Sequence, residues 1–442
     1  MQSAPDGFWI IDQQSTNGTL LNGKPIEKAL LHSGDVIELG RHGPQIQMSL
    51  ESAPSTAQQP KPGSGLTLRQ TFSQIGVYNP EKEKQANHLK TALALLAAGV
   101  MVCLVSLIFL STLGFVGALI GAVMAFLPAP FYLFILLWMD RYDPEPPWAL
   151  AGAFAWGALF AIVVSFIVNT IFGSVVATIA GESAGLTLSA ILSAPFIEEL
   201  TKGLGVVLIY LLLRREFDGV LDGIVYAGVI GLGFATVENV LYYGRAFVQS
   251  GARALLLTGL LRGVLSPFIH SFFTSMTGIG CGIARESHKR GVQFLLPLLG
   301  FFGAVILHLL WNVSAALMGG FFFVAYFVVW VPLFLFFLGM IFLMALRESR
   351  IIRRSLAFEV GTLLTDQELK LAGSLRERIR WLLAAVNDWK KLQARRRFLT
   401  AVTKLAFCYW HVESATMANQ ETISAQQIPR FRSEITALKP AI

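Results

Sequence analysis

Two adjacent carboxylates, Glu198 and Glu199, stand in the run Pro195-Phe196-Ile197-Glu198-Glu199-Leu200-Thr201-Lys202, inside a long apolar stretch. Further ionisable residues follow in equally apolar surroundings: Glu238 in Phe234-Ala235-Thr236-Val237-Glu238-Asn239, then His270, then His308 in His308-Leu309-Leu310-Trp311-Asn312. An ionisable side chain near the centre of a bilayer costs about 2.5 to 3.5 kcal/mol on insertion scales, so several together imply mutual pairing and a purpose. A carboxylate and two imidazoles around a cavity can hold a divalent metal, zinc in the first instance, and activate its water. Alternatively, glutamate can act on water directly as general base. Both routes lead to hydrolysis of a peptide bond.

Spacing sorts these residues into roles. Glu198 and Lys202 are i,i+4 with the acid N-terminal, the favoured orientation for a helical ion pair. Glu199 points about 100° away around the helix and is left to face the interior. His308 and Asn312 share a face, which lets Asn312 hold an imidazole tautomer or polarise a substrate carbonyl. The expected catalytic set is therefore Glu199 assisted by Glu198, with His308, Asn312 and Lys202. His270, His308 and Glu238 are the expected metal ligands. The other histidines, His32, His42, His88, His288 and His411, fall outside the apolar runs and read as solvated.

These residues need helices long enough to cross a membrane. Hydrophobic residues make up 54% of the 442 residues and charged residues 14%, where roughly 25% charged is usual for a soluble domain. The expected architecture is an all-α polytopic membrane protein of about eight transmembrane helices. Apolar runs of roughly twenty residues, the length that spans a bilayer, occur near 91–111, 115–138, 148–172, 188–213, 220–243, 255–284, 293–317 and 321–346. Arg141, Arg214, Arg215, Arg285, Lys289 and Arg290 fall in alternate connections, which places both termini in the cytoplasm of a cell whose inner membrane holds the chain. The glycines Gly228, Gly231 and Gly233 read as close-packing positions rather than a phosphate loop. Cys103, Cys281 and Cys408 are too dispersed for a disulfide framework. The chain opens on polar residues, with no cleavable signal peptide in view.

Four motifs in order, on successive membrane helices, resemble the PrsW family of intramembrane proteases, relatives of the CAAX-type and bacteriocin-processing enzymes. They are the EExxK run Glu198–Lys202, the FxxxE run Phe234–Glu238, His270 and the HxxxN run His308–Asn312, preceded by Asp140-Arg141-Tyr142-Asp143-Pro144-Glu145-Pro146. The resemblance covers roughly residues 91–346. It implies cleavage of a membrane-anchored protein, such as an anti-sigma factor or another signalling protein.

The flanks differ in character. Residues 1–50 alternate apolar and polar around Ser15-Thr16-Asn17-Gly18-Thr19 and Asn22-Gly23, reading as hairpins. They resemble the second half of a forkhead-associated (FHA) β-sandwich, which implies a phosphothreonine partner met through Ser15, Thr16 and Asn17. Residues 51–90 read as a flexible linker. From Arg347 onward, seventeen Lys and Arg stand against nine Asp and Glu, a surplus of eight where the whole chain has a net charge of +7. Residues 347–442 read as a basic helical cytoplasmic tail, with Arg376, Arg378, Arg380 and Arg395–Arg397 set to meet anionic lipids. No nucleic-acid partner is expected. Two other functions fit a mid-membrane Glu/His cavity less fully: a transporter or channel, and a non-catalytic scaffold that reads phosphopeptides.

Overall fold

The computed structural model describes residues 2–4, 7–12, 15, 18–32, 35–39, 45–47, 80–139, 141–214, 216–287, 289–317, 319–417 and 422–442. The chain divides into two compact units, Met1–Glu83 and Lys84–Ile442. In the first, β1 (Gln2–Ala4), β2 (Gly7–Ile11) and β5 (Lys28–Leu30) form one antiparallel sheet. A second sheet has the order β4 (Lys24–Ile26), β3 (Thr19–Leu21), β6 (Val36–Leu39), β7 (Gln45–Gln47). The expected hairpin is present: β3 and β4 pair with Leu21 opposite Lys24. Asn22 and Gly23 between them take φ of 50° and 78°, the left-handed pair that a two-residue hairpin turn demands. Ile10, Leu31 and Ile37 are buried together beneath the strands. The Ser15 hydroxyl donates to Asp12 at 2.5 Å, whereas Thr16 and Asn17 lie outside the described residues. So do 48–79, which hold most of the expected linker; its last residues, from Pro80, are already helical.

The second unit is helical throughout. In chain order it comprises α1 (Pro80–Phe126), α2 (Ala129–Met139), α3 (Pro147–Ala155), α4 (Ile162–Ala180), α5 (Glu182–Leu188), α6 (Ala194–Leu212) and α7 (Val220–Gly259), followed by α8 (Ile269–Glu286), α9 (Arg290–Leu317), α10 (Phe322–Ala325) and α11 (Val331–Ser355). Five stretches among the described residues are long and apolar enough to cross a membrane: Leu95–Met139, Pro147–Ala180, Val220–Glu286, Arg290–Ala316 and Gly319–Glu359. The two longest each carry a break. Gly114 interrupts α1 with φ 66° and Gly251 interrupts α7 with φ 74°, values that glycine adopts without steric cost. Helix α6 falls outside the five because Glu198, Glu199 and Lys202 lower its apolarity. The run expected as one span over 255–284 is broken at Ser266–Phe268, between a π-helical turn at Leu260–Leu265 and α8. Pro267 disfavours a helical conformation at Ser266.

Helix α7 is the axis of the bundle, with every residue from Val220 to Val237 buried. Small residues permit this. A Cβ on Gly223 would stand 2.1 Å from the Gly278 carbonyl oxygen, and one on Gly278 would stand 2.0 Å from that of Gly223, so α7 and α8 cross with their backbones in contact. Gly231 similarly receives the backbone of Ser271, which sets the depth of the neighbouring His270 against α7.

The tail is a folded helical layer rather than a loose amphipathic segment. It contains α12 (Asp366–Ala372), α13 (Leu375–Leu383), α14 (Trp389–Met417) and α15 (Ile428–Leu438). Its core unites Ile352, Leu356, Phe398, Val402, Leu405, Phe431 and Ile435 with Tyr142 of the α2–α3 connection. Two basic residues expected on a lipid-facing surface are buried instead. Arg378 donates to the carbonyls of Ala372 and Tyr142, each at 2.7 Å, and to Thr403, and Arg395 donates to the Trp381 carbonyl. Arg376, Arg380, Arg396 and Arg397 remain exposed. His411, expected in solvent, is buried with Nε2 3.6 Å from Asp218.

Candidate functional site

Helices α6, α7, α8 and α9 bring Glu198, Glu199, Lys202, Phe234, Glu238, His270 and His308 into one cluster, with Asn312 on the wall of the adjoining cavity. The hub is Lys202, which is fully buried. Its ammonium lies 2.7 Å from Glu199, 3.5 Å from Glu198 and 3.1 Å from His270 Nδ1. It also sits 4.0 Å from the centre of the Phe234 ring, a cation–π contact in a desolvated setting. The FxxxE motif thereby serves two partners from one face of α7: Phe234 caps the ammonium, and Glu238 reaches His270 Nε2 at 3.1 Å.

The two adjacent glutamates have different surroundings, and the expected pair of Lys202 with Glu198 is joined by a shorter one with Glu199. Lys202 is closer to Glu199 than to Glu198, so Glu199 is the paired carboxylate. Glu199 also accepts from Thr274 at 2.9 Å and lies 3.0 Å from His308 Nδ1. Glu199 thus has three side-chain partners, Lys202, Thr274 and His308. Glu198 has Asn169 Nδ2 at 3.5 Å on Oε1, while its buried Oε2 has no hydrogen-bond partner among the described residues, with Lys202 Nζ at 3.5 Å and His308 Nε2 at 4.0 Å. A buried carboxylate oxygen without a donor is costly, and Glu198 lines a cavity of about 370 Å³ together with Glu238, His270, His308 and Asn312.

Charge gives the same ranking. Glu199 is matched by Lys202, and Glu238 by Arg262, which donates to both Glu238 and Asn239. Glu198 shares Lys202 and, among the described residues, has no cation of its own. Glu198, His270 and His308 each offer one ligand atom within 4.8 Å of the others. A His₂Glu set suits a borderline divalent ion such as zinc. Glu238, expected as a ligand, is held by Arg262 and His270. Asn312 donates to the Ala190 carbonyl at 2.8 Å; the His308 tautomer is set by Glu199 instead. Ser15 belongs to the other unit.

Residues 145–337 match the family model of PrsW family intramembrane metalloproteases. The membrane core is PrsW-like. Curated relatives include proteins named Protease PrsW from Geobacillus kaustophilus, 32% identical over 36% of this chain and 66% of its own length, and from Oceanobacillus iheyensis, 29% identical over 35% and 67%. A third, from Bacillus subtilis, is 33% identical over 26% of this chain and 51% of its own. The chain thus spans about half to two thirds of these relatives. Residues 2–40 match an FHA domain. No solved structure matches significantly. Every member of the Glu/His cluster lies inside the PrsW-like segment, and the folded tail lies beyond it.

Three contributors carry no motif. Thr274 follows His270 by four residues, so the two share a face of α8, a signal visible in the sequence. Arg262 is a lone cation in the apolar run Ala254–Leu265, which is itself a signal. Asn169 gives no such cue; only the crossing of α4 over α6 brings it to Glu198.

Proposed function

We propose that this chain is an intramembrane endopeptidase that hydrolyses a peptide bond in a membrane-anchored protein, with Glu198 as the working carboxylate. The observation that carries this reading is the buried Glu198 Oε2, which among the described residues has no hydrogen-bond partner, meets Lys202 only at 3.5 Å and lines a cavity with two histidines. The names of the relatives support the reaction class. The chain would cross the cytoplasmic membrane eight times, with Gly114 and Gly251 dividing the two longest stretches, and leave both termini in the cytoplasm.

The division of labour follows from the contacts. Glu198, His270 and His308 would hold a divalent metal, zinc by the donor set, which when bound acts as a Lewis acid toward carbonyl and water. Without one, Glu198 takes the proton of an attacking water as general base. In both cases Glu199 orients His308, Glu238 orients His270, and Lys202 keeps adjacent carboxylates from repelling one another. Asn312, on the cavity wall, is placed to meet a substrate carbonyl. The substrate enters the cavity past Trp311, Phe322 and Tyr326, aromatic residues suited to an apolar segment.

The test is cleavage of tagged single-span proteins, anti-sigma-factor-like proteins among them, by the purified chain in proteoliposomes. Wild type should cut at least one, whereas Glu198→Gln and His308→Ala should lose about 10²-fold or more. Cleavage that persists unchanged in both variants, or no cleavage by any of the three, would remove the reading. The β unit would bind phosphothreonine peptides and the exposed tail arginines anionic lipid.

A further inference from the structure

Glu198 stands at the meeting point of two cavities. Besides the one already described, a second of about 700 Å³ lies between α4, α5, α6 and α7. The two share Ala190, Ala194, Glu198, Glu238 and Tyr242 in their walls. The second is lined by hydroxyl and amide groups of a kind a lipid-facing helix avoids: Ser165, Asn169, Thr170, Ser174 and Ser189. Polar side chains in membrane helices face the bundle interior or a water-filled cavity. Thr170 and Ser174 are four residues apart on one face of α4, and both are exposed. Ile171 and Val175, 59% and 54% exposed on the same helix, lie outside the cavity wall.

The inner end of this cavity is built around Glu198. The Asn169 carboxamide accepts from Ser193 at 2.7 Å, and its main-chain carbonyl accepts from Ser189 at 2.9 Å. Thus anchored, it aims its NH₂ at Glu198 Oε1. A water molecule takes about 30 Å³ of liquid volume, so the cavity has room for a column of waters from its opening to Glu198.

We infer that this second cavity is a water-filled inlet serving Glu198 from the α4 side, separate from the aromatic cavity. It rests on the peptidase reading only in assigning the aromatic cavity to the substrate. Hydrolysis consumes one water per bond cut, and a substrate filling the first cavity would close that route to water. A second entrance keeps Glu198 supplied while substrate is bound.

Accessibility tests this without reference to catalysis. The chain carrying Cys103→Ala, with the buried Cys281 and Cys408 left in place, receives one of Thr170→Cys, Ser174→Cys, Ile171→Cys or Val175→Cys. Each variant, reconstituted in vesicles, is treated with a charged, membrane-impermeant methanethiosulfonate, and labelling is followed by mass spectrometry. The cysteines at 170 and 174 should react at least about tenfold faster than those at 171 and 175, which face hydrocarbon. Equal rates at all four positions, whether fast or slow, would overturn the inlet. Selective labelling in a chain that cleaves nothing would leave the inlet standing and defeat the peptidase reading; cleavage without selective labelling would do the reverse.

Discussion

The assignment of Glu198 rather than Glu199 makes a prediction in which stability and activity separate. In Glu199→Gln, the fully buried Lys202 loses its 2.7 Å partner and keeps Glu198 only at 3.5 Å; the contact with His308 Nδ1 is also weakened. Removing one member of a buried ion pair costs about 3 to 5 kcal/mol. Glu198→Gln gives up a longer contact and removes a carboxylate whose Oε2 lacks a hydrogen-bond partner. Its loss should cost little, about 1 kcal/mol either way. Activity should follow the opposite order. Glu198→Gln should lose about 10²- to 10⁴-fold, the span attributed to a general base, while remaining folded. Glu199→Gln should lose activity mainly as its fold loosens. Thermal unfolding in detergent, followed by tryptophan fluorescence beside the cleavage assay, measures both. A Glu198→Gln protein that melts well below Glu199→Gln, or one that retains activity, would refute the ranking drawn from the contacts.

Other expectations concern the supporting contacts. His270→Ala and His308→Ala should each lower equilibrium zinc binding by at least about tenfold, read by competition with a chromogenic chelator, and Glu238→Gln should lower it less. Gly223→Ala, which forces a methyl to within 2.1 Å of the Gly278 carbonyl oxygen, should cost about 1 to 3 kcal/mol and lower the melting midpoint, with Gly278→Ala doing the same. At the α2–α3 connection, buried Asp143 lies 3.4 Å from Lys404, which also approaches Glu216 and Asp218. Burial pushes the Asp143 carboxyl up to about 6 against the pull of Lys404. Because this folded value exceeds the ordinary one, the stability it contributes is complete below about 3.8 and is lost as pH rises through about 6. Asp218 runs the other way, held low despite its burial by His411 and Lys404. Asp143→Asn should therefore flatten the loss of melting temperature between pH 4 and 7, by no more than about 3 kcal/mol at about 1.4 kcal/mol per pH unit.

Much of the membrane core is legible in the chain because the bilayer permits few alternatives. A twenty-residue apolar run has to be helical there, and an ionisable residue within it has to find a partner. Phe234 and Glu238, set four apart, could be placed on one face before any coordinates. Partner choice was not legible. The i,i+4 rule pairs Lys202 with Glu198 on an isolated helix, but Lys202 is enclosed by α7 and α8, and Phe234 and His270 draw its ammonium toward Glu199. The tail misleads for a related reason. Its arginines repeat with an amphipathic period, yet a guanidinium that can satisfy three acceptors at once is as useful inside a helical layer as on a lipid surface. Arg378 does this between Ala372, Tyr142 and Thr403.

The same reasoning explains why two cations suffice for three buried carboxylates. If Lys202 and Arg262 were joined by a third cation beside Glu198, every acid would be quenched and the cavity would hold no group with an unmet demand. Leaving Glu198 short of a partner costs stability, and that cost is met by the backbone-close packing of α7 on α8 and by the Lys202 network around Glu199. The unmet demand is what a water, a metal ion or a substrate amide can satisfy. On the proposed reading, an under-satisfied Glu198 is where the chemistry would occur, and the residues that hold its neighbours in place would keep it so.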